Sequence, residues 1–127
     1  MITHGFKKML AEANAVIETV SAQEALELVN DPNTVFVDVR ETVEREGMGT
    51  IPGAVHAPRG FLEFIADPEG PMHNDVFVGG KRLLLFCASG GRSALAAKTL
   101  KDMGHTSVAH IAGGFPAWRE AGGPTEG

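Results

Sequence analysis

Cys87 is the chain's single cysteine, and no apolar run approaches the length of a membrane span. One thiol excludes an internal disulfide. With no apolar segment after Lys7 and Lys8, it predicts a reducing, cytoplasmic setting and no membrane association. Basic residues are also scarce: 11 Lys and Arg stand against 16 Asp and Glu, a net charge of −5, which argues against a nucleic-acid partner. The excess is confined to one half, since residues 1–63 hold 10 acidic and 5 basic residues and 64–127 hold 6 of each. The half carrying Cys87 therefore does not repel an anionic substrate. None of the five histidines, His4, His56, His73, His105 and His110, has zinc-ligand spacing with a cysteine or carboxylate, so no metal site is expected.

What remains is an ordinary globular composition. At 127 residues with 43% hydrophobic and 21% charged, the chain predicts one folded domain with a full core, and its 16 glycines predict many tight turns. Apolar runs of strand length alternate with helix-forming stretches. Strands are predicted at Val16–Val20, Thr34–Val39, Ala54–Ala57, Leu83–Phe86 and Ser107–Ile111. Helices are predicted at 5–15, at Ala22–Val29 behind a Ser21/Glu24 capping box, over a turn or two from Glu41 to Glu46, from near Gly60 to Asp67, from Ser93 to Gly104, and over Phe115–Ala121 with Trp118 in the core. A turn of helix falls near Asn74–Val78, and the tail after Ala121 is expected to fray. Such alternation predicts βαβ units and a mainly parallel sheet of about five strands covered by helices on both faces, an α/β three-layer sandwich.

In such sheets ligands gather at the carboxyl ends of the strands, where Cys87 falls. A lone cysteine at a strand end is ordinarily a small buried hydrophobe. Here, however, Ala88, Ser89, Gly90, Gly91 and Arg92 lead directly into a helix whose predicted apolar stripe is Leu95, Thr99 and Met103, with Leu100 beside them. A tight loop entering a helix N-terminus gathers backbone N–H groups and the positive end of the helix dipole at one spot. Gly90 and Gly91 permit positive φ, and a thiol there should ionise readily. Arg92 opposes the helix dipole, and an anion at the loop would explain its placement. Ser89 and Ser93 are candidates as anion contacts, though turn formation and capping explain them equally well. Arg59 and Arg40 also lie where loops approach the rim; Arg40 has an alternative in an ion pair with Asp38 or Glu41. His56, at a strand end, reads as a satisfied structural histidine.

Three stretches together resemble the single-domain rhodaneses: VDVR at Val37–Arg40 followed by IPGAVHAP at Ile51–Pro58, the loop CASGGRS at Cys87–Ser93, and GGFPAWREAGGP at Gly113–Pro124. The resemblance covers about 16–124 and leaves residues 1–15 as an N-terminal helical extension whose Phe6, Met9 and Leu10 stripe is expected to dock on its own domain. Thr50 and His56 depart from the family pattern, where histidine and asparagine are common, but neither touches the loop.

The resemblance implies a rhodanese-like fold and a sulfurtransferase that needs no cofactor. Cys87, carrying a persulfide, and Arg92, the loop's cation, would be the catalytic residues. Ala88, Ser89, Gly90, Gly91, Ser93 and Arg59 would bind the substrate. A small anionic donor such as thiosulfate would supply sulfur, and cyanide or a thiol would accept it. Two rivals stand beside this reading. Cysteine phosphatases also run from cysteine to arginine before a helix, but with five intervening residues where this chain has four. Rhodanese-like domains also serve as inactive binding modules, often without the cysteine that this chain keeps.

Overall fold

Strand β4 (Arg82–Phe86) is central because Leu83, Leu84, Leu85 and Phe86 leave it no polar face, and all four are fully buried. Burying each side chain contributes about 1.5–3 kcal/mol. The computed structural model describes residues 1–127 and places β4 third in a five-stranded sheet ordered β1-β5-β4-β2-β3, every pairing parallel. The other strands are β1 (Glu18–Val20), β2 (Thr34–Asp38), β3 (Val55–His56) and β5 (Val108–Ile111). Before, between and after them run α1 (Phe6–Val16), α2 (Ala22–Leu26), α3 (Thr42–Met48), α4 (Leu62–Ala66), α5 (Gly91–Asp102) and α6 (Gly114–Glu120), with short 3-10 turns at Arg59–Phe61 and Asp75–Phe77. No helix is long and apolar enough to cross a membrane.

The two faces of the sheet carry separate cores, set by strand alternation. Leu83 and Leu85 pack with Ala96, Ala97, Leu100, Leu62 and Ile65 under α5 and α4; Leu84 and Phe86 pack with Phe36, Ile111, Phe115 and Trp118 under α2 and α6. Cys87 continues the first alternation and joins the α5 side. That parity aims its sulfur beneath the start of α5.

Several boundaries and faces differ from expectation. Val16 completes α1, so β1 begins only at Glu18, and α2 gives way to turns after Leu26. The Ser21/Glu24 capping box is present as predicted. On α5 the face against the sheet is Ser93, Ala96, Ala97 and Leu100, whereas Met103 is exposed and Leu95 and Thr99 are only half-buried. Alanines win this face because a helix can sit close to a sheet only where its side chains are small. The α1 helix does dock on α5, but through fully buried Ala13 while Phe6 and Met9 face solvent. The tail is pinned rather than frayed: the Trp118 indole donates to the Pro124 carbonyl at 2.8 Å, and Glu126 bridges Thr50 antiparallel.

Candidate active site

The Cys87 sulfur ends a strand and begins a turn, and the turn's amides close on it. The N–H groups of Gly90 and Ser93 donate to Sγ at 3.1 and 3.4 Å, and the Ser93 hydroxyl lies 3.5 Å away. Gly90 takes φ +100° to make this possible, a conformation open chiefly to glycine; Gly91 does not, and begins α5 in ordinary geometry. Burial, the largest single influence, pushes the fully buried Cys87 thiol up. Hydrogen bonds from the Ser93 hydroxyl and from the N–H groups of Ser93, Ser89 and Gly90 together outweigh it, so the thiol is held below its ordinary value. The loop is braced from beneath by Gly113 and Gly114. Phe115 N–H donates to the Cys87 carbonyl at 2.8 Å, and a side chain at Gly114 would run into that same carbonyl.

The predicted site residues separate into those the fold gathers and those it does not. Cys87, Ala88, Ser89, Gly90, Gly91 and Ser93 form one turn around the sulfur. Arg92 stands at its rim, but the anion facing it belongs to the chain. Glu44, on α3, accepts from both terminal nitrogens of Arg92 at 2.6 and 2.9 Å and from Glu41 N–H at 2.9 Å. The Arg92 guanidinium holds the Glu44 carboxyl down to about 2. Arg59 is not brought to the sulfur: it donates to Glu63 and to Thr99, seven residues along α5 from Arg92, roughly 10 Å by helical rise. Arg40 is fully buried beneath β2's end, where Asp38 takes it bidentately, and His56 donates to the Arg40 carbonyl at 2.7 Å as a satisfied structural histidine.

One side chain near the sulfur, His110, and its partner Thr19 escaped the sequence reading. His110, buried on β5, places Nδ1 2.9 Å from the Ser93 hydroxyl and Nε2 3.1 Å from the Thr19 hydroxyl of β1. Only its alternation with Val108, which puts both on the α5 face, could have signalled it.

A doubly wound parallel sheet with a hydrogen-bonded thiol at the carboxyl end of its central strand, cradled by a turn into a helix, defines a cysteine-loop α/β domain. Residues 21–121 match the model of the Rhodanese-like domain, and the chain belongs to that family. A solved structure from Rhodopseudomonas palustris, a protein of unknown function described as a "possible tyrosine phosphatase", is 49% identical with a TM-score of 0.95, covering 99% of this chain and 97% of that one. The polysulfide-sulfur transferase homodimer of Wolinella succinogenes is 30% identical with a TM-score of 0.73, covering 95% and 86%. Among curated proteins, the tRNA uridine(34) hydroxylase of Brucella ovis is 36% identical over 94 residues, 73% of this chain but only 30% of that protein. The chain thus spans less than a third of that relative's length.

Proposed function

We propose that the chain is a sulfurtransferase that carries a sulfane sulfur on Cys87. The observation that supports this most is the pair of amides on the sulfur, at 3.1 and 3.4 Å from Gly90 and Ser93. A thiolate is already a competent nucleophile, so no separate base is required. With thiosulfate, the Cys87 thiolate attacks the outer sulfur, a bond forms between the two sulfurs, and sulfite leaves with the electron pair of the broken S–S bond. Cyanide or a thiolate then attacks the outer sulfur of the persulfide, and the Cys87 thiolate is regenerated. The amides that hold the thiolate also hold the persulfide anion, a preorganised electrostatic stabilisation that acts in both half-reactions. Because Cys87 is fully buried, the loop Ala88–Gly91 has to shift to admit the donor.

The test is to incubate the chain with thiosulfate and weigh it intact. The mass should rise by one sulfur atom and return on addition of cyanide; a native chain that gains nothing overturns the proposal. A phosphatase reading, suggested by the Rhodopseudomonas neighbour, is disfavoured by the four-residue spacing and by the engagement of Arg92 with Glu44, which leaves no free guanidinium for a phosphate. Phosphate-ester hydrolysis by the native chain is expected to be absent.

The same ion pair bears on donor choice. Glu44 neutralises the loop's one cation, so a dianionic donor gains little from Arg92. Replacing Glu44 by glutamine is expected to raise kcat/KM for thiosulfate about fivefold, the rate equivalent of roughly 1 kcal/mol for one charge at a solvated rim. Methanethiosulfonate offers the same sulfane sulfur with one negative charge fewer, and its kcat/KM should rise about half as much on a logarithmic scale. Equal gains for both donors would remove charge as the cause.

A further inference from the structure

A buried chain of side chains leads away from the sulfur: Cys87, then Ser93, then His110, then Thr19 at the exposed edge of the sheet. Its polarity is fixed by what the sulfur is. A thiolate only accepts, so the hydrogen bond between it and Ser93 is donated by the hydroxyl, whose one proton favours the charged sulfur at 3.5 Å over the neutral Gly90 carbonyl at 3.3 Å. The Ser93 oxygen, 2.9 Å from His110 Nδ1, then accepts from an Nδ1–H, and the bare Nε2 accepts from the Thr19 hydroxyl. In the opposite tautomer a bare Nδ1 would draw the serine proton away from sulfur, because at 2.9 Å it is nearer than either Sγ at 3.5 Å or the Gly90 carbonyl at 3.3 Å.

We propose that His110 is a positioning residue: as the neutral Nδ1–H tautomer it turns the Ser93 hydroxyl onto Cys87 and so stabilises the thiolate, and the persulfide that succeeds it. This rests on Cys87 being the sulfur carrier only for its second clause. No charged side chain stands against the ring. Thr19 faces it from β1, Ser93 from α5, Leu85 is its register partner on β4, and Gly90 packs at its edge; the one titratable group it reaches is Cys87, through Ser93. Burial alone acts on the imidazole and lowers its pKa, so the ring stays neutral where the thiol ionises.

The sequence makes the test direct. With one cysteine and no tyrosine, the rise of thiolate absorbance in the ultraviolet with pH reports Cys87 without phenolate interference. The native midpoint should fall below the ordinary cysteine value of about 8.5. His110→Leu should raise it by about one unit, a tenfold loss of thiolate below the midpoint. His110→Asn, which keeps an N–H donor at the Nδ1 position, should return it to within a few tenths. In a Ser93→Ala background, His110→Leu should add nothing, which a merely structural role would not produce. A folded His110→Leu chain that titrates at the native midpoint overturns the proposal.

Should that variant fail to fold, ring nitrogen NMR of the native chain decides, with the His110 signal identified by its loss in His110→Asn. Nδ1–H above the thiol midpoint is the expected state, and Nε2–H there overturns the proposal. Neither readout involves sulfur transfer, so a chain that titrates as expected yet takes no sulfur removes the proposed function and leaves the role of His110 standing.

Discussion

Replacing Asp38 by asparagine is expected to destabilise the chain by about 3–5 kcal/mol, the usual loss when one partner of a buried ion pair is removed. Arg40 and Asp38 are both fully buried. The carboxylate accepts from Arg40 Nε at 3.0 Å, Arg40 Nη2 at 2.8 Å, the Arg40 N–H at 3.0 Å and the Thr50 hydroxyl at 2.9 Å. An asparagine keeps one oxygen but turns an NH2 group toward a guanidinium, donor against donor, and leaves the cation with little beyond the Gly49 carbonyl and the Phe115 ring 4.4 Å away. Domains of this size hold about 5–15 kcal/mol in total, so the variant approaches the edge of folding.

Denaturant melts of native and variant chains measure the difference, and a loss below about 1 kcal/mol would show that the pair carries no such role. Exchanging both partners at once, Asp38→Leu with Arg40→Met, should recover much of the loss, because the fully buried guanidinium goes with its carboxylate; Arg45, whose Nε lies 3.4 Å from Asp38, is partly exposed and keeps solvent for its charge. The functional consequence follows from position. Asp38 pairs in register with Phe86, the residue before Cys87, so loosening the end of β2 loosens the floor of the sulfur's turn.

The layers of the fold were legible because strand and helix periodicity is local. The leucine run of β4, the Ser21/Glu24 box and the turn from Cys87 to Ser93 each lie within a few residues and could be read directly. What escaped was nonlocal or depended on smallness. Apart from Leu100, the buried face of α5 is alanine and serine, which periodicity of large apolar residues assigns to the wrong side. The tail is held by the need of a buried indole N–H for an acceptor, and that acceptor, the Pro124 carbonyl, is invisible in side-chain patterns.

The same distinction runs through the site. Thr19 meets His110 across 91 positions of sequence, Arg92 meets Glu44 across 48, and Ser93 meets His110 across 17, all through side chains that carry no signature alone. Arg59 was drawn toward the site by its place after β3, but Glu63 and Thr99 offered nearer partners. Arg92 was expected to face an anion bound at the loop; that a carboxylate of the chain itself, Glu44, stands beside it could be learned only from three dimensions.

Substituting Cys87 by serine is expected to abolish sulfur loading altogether, with no mass gain from thiosulfate at any donor concentration, while the fold survives. The serine oxygen can accept from the N–H groups that now reach sulfur, Gly90 at 3.1 Å and Ser93 at 3.4 Å, so no buried donor is left without a partner. The substitution replaces an ionisable, polarisable nucleophile with a hydroxyl that remains protonated in the same cradle. Nothing adjacent can remove that proton: the hydroxyl of Ser93 is no base, and the His110 ring hydrogen-bonds only to Ser93 and Thr19. Near-ultraviolet circular dichroism from Trp118, fully buried on α6, reports whether the packing beneath the loop is kept. A well-packed Cys87→Ser chain that still takes up sulfur would mean the carrier lies elsewhere. Because Cys87 is the only cysteine, no other thiol could hold the sulfur as a persulfide, and the mechanism would have to be abandoned rather than relocated.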